Sequence, residues 1–109
     1  MPHHVCAFYP NDDDLKLDIS YYIKTHMPLV QEKFGPYGLK GWEITKFGPN
    51  ADGTKPVYAL QTLLIWDNAE CVKKAMLSPE APVVFGDVAN FCNKQPIAMG
   101  GDVLGSTRV

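Results

Sequence analysis

The segment from residue 57 to 66, Val-Tyr-Ala-Leu-Gln-Thr-Leu-Leu-Ile-Trp, constrains this chain more than any other. Its length and its branched and aromatic residues predict a β-strand. Successive side chains of a strand point to opposite faces. Here the odd positions (Val57, Ala59, Gln61, Leu63, Ile65) and the even ones (Tyr58, Leu60, Thr62, Leu64, Trp66) are both mostly apolar. A sheet with one wet face alternates apolar and polar residues instead. Helices cover one face of such a sheet, so the other face needs its own cover. The expected cover is the same face of a second copy, which makes the chain a homodimer; a C-terminal segment folded over the sheet is the alternative.

The other elements follow from periodicity and from Gly and Pro punctuation. Residues 3–9 read as a first strand. The turn Pro10–Asp14 supplies an aspartate to cap a helix. Residues 15–34 then carry Leu15, Ile19, Tyr22, Ile23, His26 and Val30 at helical spacing. Pro28 removes an N–H and crowds the carbonyl of Lys24, which predicts a kink or break near His26. Gly35-Pro36-Tyr37-Gly38 ends that helix. A second strand spans 39–47, and a long turn covers 48–56. Asp67 and Glu70 form a capping-box pattern for a helix of about ten residues, with Cys71, Ala75 and Met76 inward. Ser78-Pro79 opens another helix, with Val84, Phe85, Val88, Phe91 and Cys92 on its apolar side. A last strand runs over 96–104, weakened by Gly100-Gly101. The order β-α-β-β-α-β is the ferredoxin-like arrangement, an α+β fold with a four-stranded antiparallel sheet and helices on one face.

At 109 residues the chain has the length of one domain, and 46% hydrophobic with 20% charged residues is an ordinary globular balance. A net charge of −2 without a Lys/Arg run gives no footprint for nucleic acid. No apolar stretch reaches membrane-spanning length, and the first residues do not read as a secretory signal. Cys6, Cys71 and Cys92 read as free thiols of a reducing compartment, so a cytoplasmic location is expected.

His26 is the one titratable group that the helical pattern sets within an apolar stripe. Desolvation disfavours its charged form, which leaves a neutral imidazole fit to act as a base. A core histidine bonded to a carbonyl fits the same pattern, and both readings stay open on spacing alone. Tyr22 lies one turn earlier and offers a hydroxyl. Tyr58 and Thr62, expected on one strand face, come next, and Trp66, Phe85 and Phe91 are candidates to line a pocket for a flat substrate. His3 and His4 point to opposite faces, and the aspartate run 12–14 lacks calcium-loop spacing, so no metal is expected. No phosphate loop or nucleophile elbow is present, and no cofactor is expected.

The run Tyr21-Tyr22-Ile-Lys-Thr-His26-Met27-Pro28-Leu29-Val30 resembles the signature Tyr-Tyr-x-x-x-His-Met-Pro-Leu-Val of EthD-domain proteins. Gly38-Leu39-Lys40-Gly41 and Gly86-Asp87-Val88-Ala89-Asn90-Phe91-Cys92-Asn93 resemble later segments of that family, with Ala89 where a proline is common. The resemblance implies a dimeric α+β barrel: two ferredoxin-like protomers joined sheet to sheet, each with a cleft between sheet and helices. It also implies that His26 matches the histidine used as base by isomerase-type relatives. The expected function is a cofactor-independent isomerase, cyclase, dehydratase or decarboxylase acting on a small aromatic or polyketide-like compound. Two alternatives accompany it: a small-molecule-binding accessory protein for a neighbouring oxygenase, and a small monooxygenase, including a haem form with His26 as axial ligand. The Asn-Trp-x-His pattern of quinol-forming monooxygenases is absent, which weighs against the last.

Overall fold

A computed structural model describes residues 2–107. Its strands are β1 (His3–Pro10), β2 (Leu39–Lys46), β3 (Tyr58–Trp66) and β4 (Ile97–Asp102), all antiparallel in the order β2-β3-β1-β4. Helix α1 covers residues 19–34, and α2 (Ala69–Met76) and α3 (Ala81–Gly86) form the second helical segment. This is the ferredoxin-like sheet, with both helical segments on one face. No helix among the described residues is long and apolar enough to cross a membrane.

The core lies between that face and the helices. Leu39, Leu60 and Trp66 from the sheet meet Met27, Val30 and Phe34 from α1, all buried. The opposite face carries β1 residues His4, Cys6 and Phe8. Their cross-strand neighbours are Ile65, Leu63 and Gln61 on β3 and Gly101, Met99 and Ile97 on β4. Met99 is 59% exposed and Ile97 51%, so this apolar face is open in the single chain.

The break expected near His26 takes the form of a π-helical turn. Residues Tyr22–His26 form it, and the Met27 N–H bonds back to the Tyr22 carbonyl. Pro28 then sits in the first turn of the regular piece Met27–Phe34, where no N–H is required of it. The wide turn shifts the phase of the apolar stripe. Tyr22 and His26 are buried, while Ile23, expected inward, is 39% exposed.

Several expectations are corrected, most of them at element ends. The first helix begins at Ile19 rather than residue 15, because Leu17 forms a β-bridge with Cys92 and the Asp18 N–H bonds to the Phe91 carbonyl. Asp18 is its cap, while Asp12 and Asp14 pair with Lys94 and Asp13 with Lys55. Asn68, not Asp67, caps α2; Asp67 lies beside Lys40, and its N–H bonds to Gly38. Ser78 donates to the Ala75 carbonyl and so closes α2 instead of opening α3. The last strand is shorter than expected, 97–102, and Met76 is half-exposed rather than inward.

Candidate functional site

The site is built on the π-helical turn. It sets the Tyr22 and His26 rings in a stack 5.5 Å apart, and Phe91 backs both with ring centroids at 4.5 Å. Phe91 comes from the segment after α3, brought there by the Leu17–Cys92 bridge. The helix α3 ends at Gly86, and a single 3-10 turn, Val88–Asn90, follows. This break places Asp87 against α1.

Asp87 is the centre of a hydrogen-bond cluster. One carboxylate oxygen lies 2.9 Å from His26 Nδ1. The other accepts from the Tyr21 hydroxyl at 2.6 Å and from the Asn90 side-chain amide at 2.8 Å. Burial acts to raise the Asp87 carboxyl, but donation from Tyr21, Asn90 and His26 outweighs it and holds the group below its ordinary value. Burial pushes the His26 imidazole down, and the Asp87 carboxylate only partly offsets this. The pair at neutral pH is therefore an ionised Asp87 and a neutral His26 whose Nδ1–H donates to it. That fixes the tautomer and leaves Nε2 as an unprotonated nitrogen toward the cavity.

The cavity has a volume of about 280 Å³ and lies between sheet and helices. Val5, Ala7 and Leu64 line it from the sheet; Met27, Val30 and Val84 line it from the helices. Tyr9, Tyr22, His26 and Thr62 bring the polar atoms, with Gln95 beside β4. The Tyr22 hydroxyl and Thr62 Oγ1 share a hydrogen bond. Tyr9 packs edge-on against Tyr22 at 5.8 Å. Burial raises both phenols above their ordinary range, so they remain protonated donors. The wall offers a metal or cofactor one imidazole nitrogen, with no carboxylate and no thiol among the described lining residues.

The structure thus brings together His26, Tyr22, Thr62 and Trp66 at one cavity wall, with Phe85 half-exposed beside them. Phe91 stands behind His26 rather than in the wall. Tyr58 lies elsewhere. The pairing register skips Ala59 between Tyr9↔Leu60 and Pro10↔Tyr58, which breaks the alternation and sets the Tyr58 ring 5.2 Å from Phe8 of the open face. Tyr58 and Thr62 therefore do not share a face, contrary to the strict strand pattern.

Asp87, Tyr21 and Asn90 received no role from spacing. A signal for Asp87 was present: it is the one charged residue in the otherwise uncharged run 81–92. Charged residues in such runs are seldom left without a partner.

No family model matches the chain, and no curated protein matches it. Solved structures do. The fold is shared with dimeric ferredoxin-like proteins, such as one of unknown function from a Jannaschia species (TM-score 0.58, 15% identity, 94% of this chain and 98% of that one). Greater likeness is to EthD-like proteins. One from Ralstonia eutropha gives a TM-score of 0.87 at 25% identity, over 97% of this chain and 95% of its own. An ethyl tert-butyl ether D (EthD) family protein from Bacillus halodurans gives 0.73 at 23% identity, over 95% and 100%.

Proposed function

We propose that this chain is a cofactor-independent acid/base enzyme of the isomerase or lyase kind. Its substrate is a small aromatic or polyketide-like compound, and His26 is its general base. The observation that carries this reading is the His26–Asp87 pair, 2.9 Å apart, at the wall of a largely apolar cavity.

The chemistry follows from the groups present. Nε2 of neutral His26 takes a proton from a carbon next to a carbonyl. Asp87 keeps the ring oriented and stabilises the imidazolium that forms. The Tyr22–Thr62 hydroxyl pair donates to the enolate oxygen as charge develops on it. The apolar wall keeps water away and strengthens each of these contacts. Isomerisation, cyclisation and dehydration all pass through such an enolate.

The test uses 2-tetralone, a neutral bicyclic ketone, in D₂O with the protein. Deuterium should enter at the carbon between carbonyl and ring, as read by proton NMR. His26→Ala should slow this by about 100-fold or more while the circular dichroism spectrum is unchanged. Exchange that survives in His26→Ala removes His26 from the mechanism. Binding of the ketone without exchange favours the accessory-protein reading, which the nearly all-apolar wall also suits. The same proposal includes a homodimer formed through the open sheet face, supported by that face's apolar composition and by the dimeric ferredoxin-like neighbours.

A further inference from the structure

We propose that the cavity beside His26 admits uncharged flat molecules bearing a hydroxyl or carbonyl oxygen and turns away the matching carboxylates. The inference rests on the reading of this cavity as a small-molecule site and names the class of ligand it selects.

Three observations carry it. First, among the described residues no Lys, Arg, Asp or Glu lines the wall. An anion entering there loses its water and meets no compensating charge. Second, the charge coupled to the wall is negative: the Asp87 carboxylate lies 2.9 Å from Nδ1 of the His26 ring. Its neighbour Nδ1–H is already donated to it, so the imidazole presents a lone pair to the cavity, not a proton. A carboxylate enters only by drawing a proton onto Nε2 or by leaving its own charge unpaired.

Third, the polar atoms of the wall fit an uncharged oxygen. Tyr9, Tyr22 and Thr62 have three hydroxyl hydrogens and share two hydrogen bonds, Tyr9 with Tyr22 and Tyr22 with Thr62. One hydroxyl hydrogen of this cluster is left over for a ligand. Apart from the exposed Gln95 and the Trp66 Nε1–H, which is buried without a partner, the wall therefore offers one spare hydroxyl donor and one acceptor, Nε2 of His26. A phenol satisfies both: its oxygen accepts from the cluster and its O–H donates to Nε2. A ketone satisfies the donor alone and leaves Nε2 free to act on a neighbouring C–H. The rings of Tyr22, Trp66 and Phe85 in the wall suit a flat molecule, and about 280 Å³ holds a two-ring one.

The experiment compares 2-naphthol with 2-naphthoate by isothermal titration calorimetry at about pH 7, where the first is neutral and the second ionised. We expect 2-naphthol to bind at least about tenfold more tightly. Met76→Lys puts a cation at a half-exposed position of the wall, where the long side chain is tolerated. In that variant the preference should shrink or reverse through tighter 2-naphthoate binding. Thr62→Val should weaken 2-naphthol about fivefold. Equal or tighter binding of 2-naphthoate to the unaltered chain overturns charge selection, and leaves the base role of His26 to the exchange experiment. A Met76→Lys variant with unchanged 2-naphthoate affinity overturns it also. Binding of neither ligand overturns both this inference and the reading of the cavity as a small-molecule site.

Discussion

At the scale of the residue, the His26–Asp87 pair makes stability depend on pH in a defined direction. The folded imidazole titrates below its ordinary value because it is buried. The unfolded chain therefore binds a proton more readily, and stability falls as pH drops through the region just below the ordinary histidine value near 6.5. Asp87 is held low by its donors, so its contribution is present above its ordinary value and is lost at still lower pH. Both groups act in the same sense, and the fold should be acid-labile. His26→Gln should flatten the upper part of the stability-versus-pH curve, measured by urea denaturation from about pH 5 to 8; a curve identical to that of the unaltered chain would contradict the burial argument. The position of His26 was legible in helical spacing, because burial is what a 3.6-residue period encodes. Its partner was not, because Asp87 meets it across 61 residues of sequence. Spacing carries no record of contacts between distant segments.

At the scale of the element, the existence and order of strands and helices could be read from the chain, while their ends moved. The ends moved where tertiary contacts outbid local preference. Asp12–Asp14 are good caps, but Lys55 and Lys94 engage them, the chain turns at Asp13–Asp14, and the helix waits for Asp18. The turn before β2 is the clearest case of local requirement prevailing. Gly38 has φ of 112°, a left-handed conformation, and a Cβ added there would lie 2.6 Å from Cys71 Sγ of α2. Gly38→Ala should therefore destabilise the fold by about 1–3 kcal/mol in thermal or denaturant unfolding. A loss of only a few tenths would mean that the turn and α2 yield without strain.

At the scale of the whole molecule, the two apolar faces of β3 divide the work. Leu60, Thr62, Leu64 and Trp66 face the helices and form the core and cavity. Leu63 and Ile65, with Cys6 and Phe8 of β1, form the open face. This division was readable in the strand itself, since both sets of alternate positions are apolar. If the open face is a dimer seam, Leu63→Glu should give the mass of one chain by light scattering where the unaltered protein gives two, with far-ultraviolet dichroism retained. An unaltered protein that is itself monomeric at about 100 μM, well above the dissociation constants of stable complexes, would overturn the homodimer.

The hydrogen bond between His26 and Asp87 has one more consequence, which concerns time rather than place. The imidazole sits on α1, formed early in the chain, and its carboxylate sits on the turn that follows α3. Neither segment alone contains the imidazole in its oriented form. A chain in which α1 has formed but the segment 87–92 has not docked lacks both the Asp87 carboxylate and the Phe91 ring that hold His26. Any base role proposed for His26 therefore depends on the docking of segment 87–92 onto α1, and the His26 ring signals report that docking.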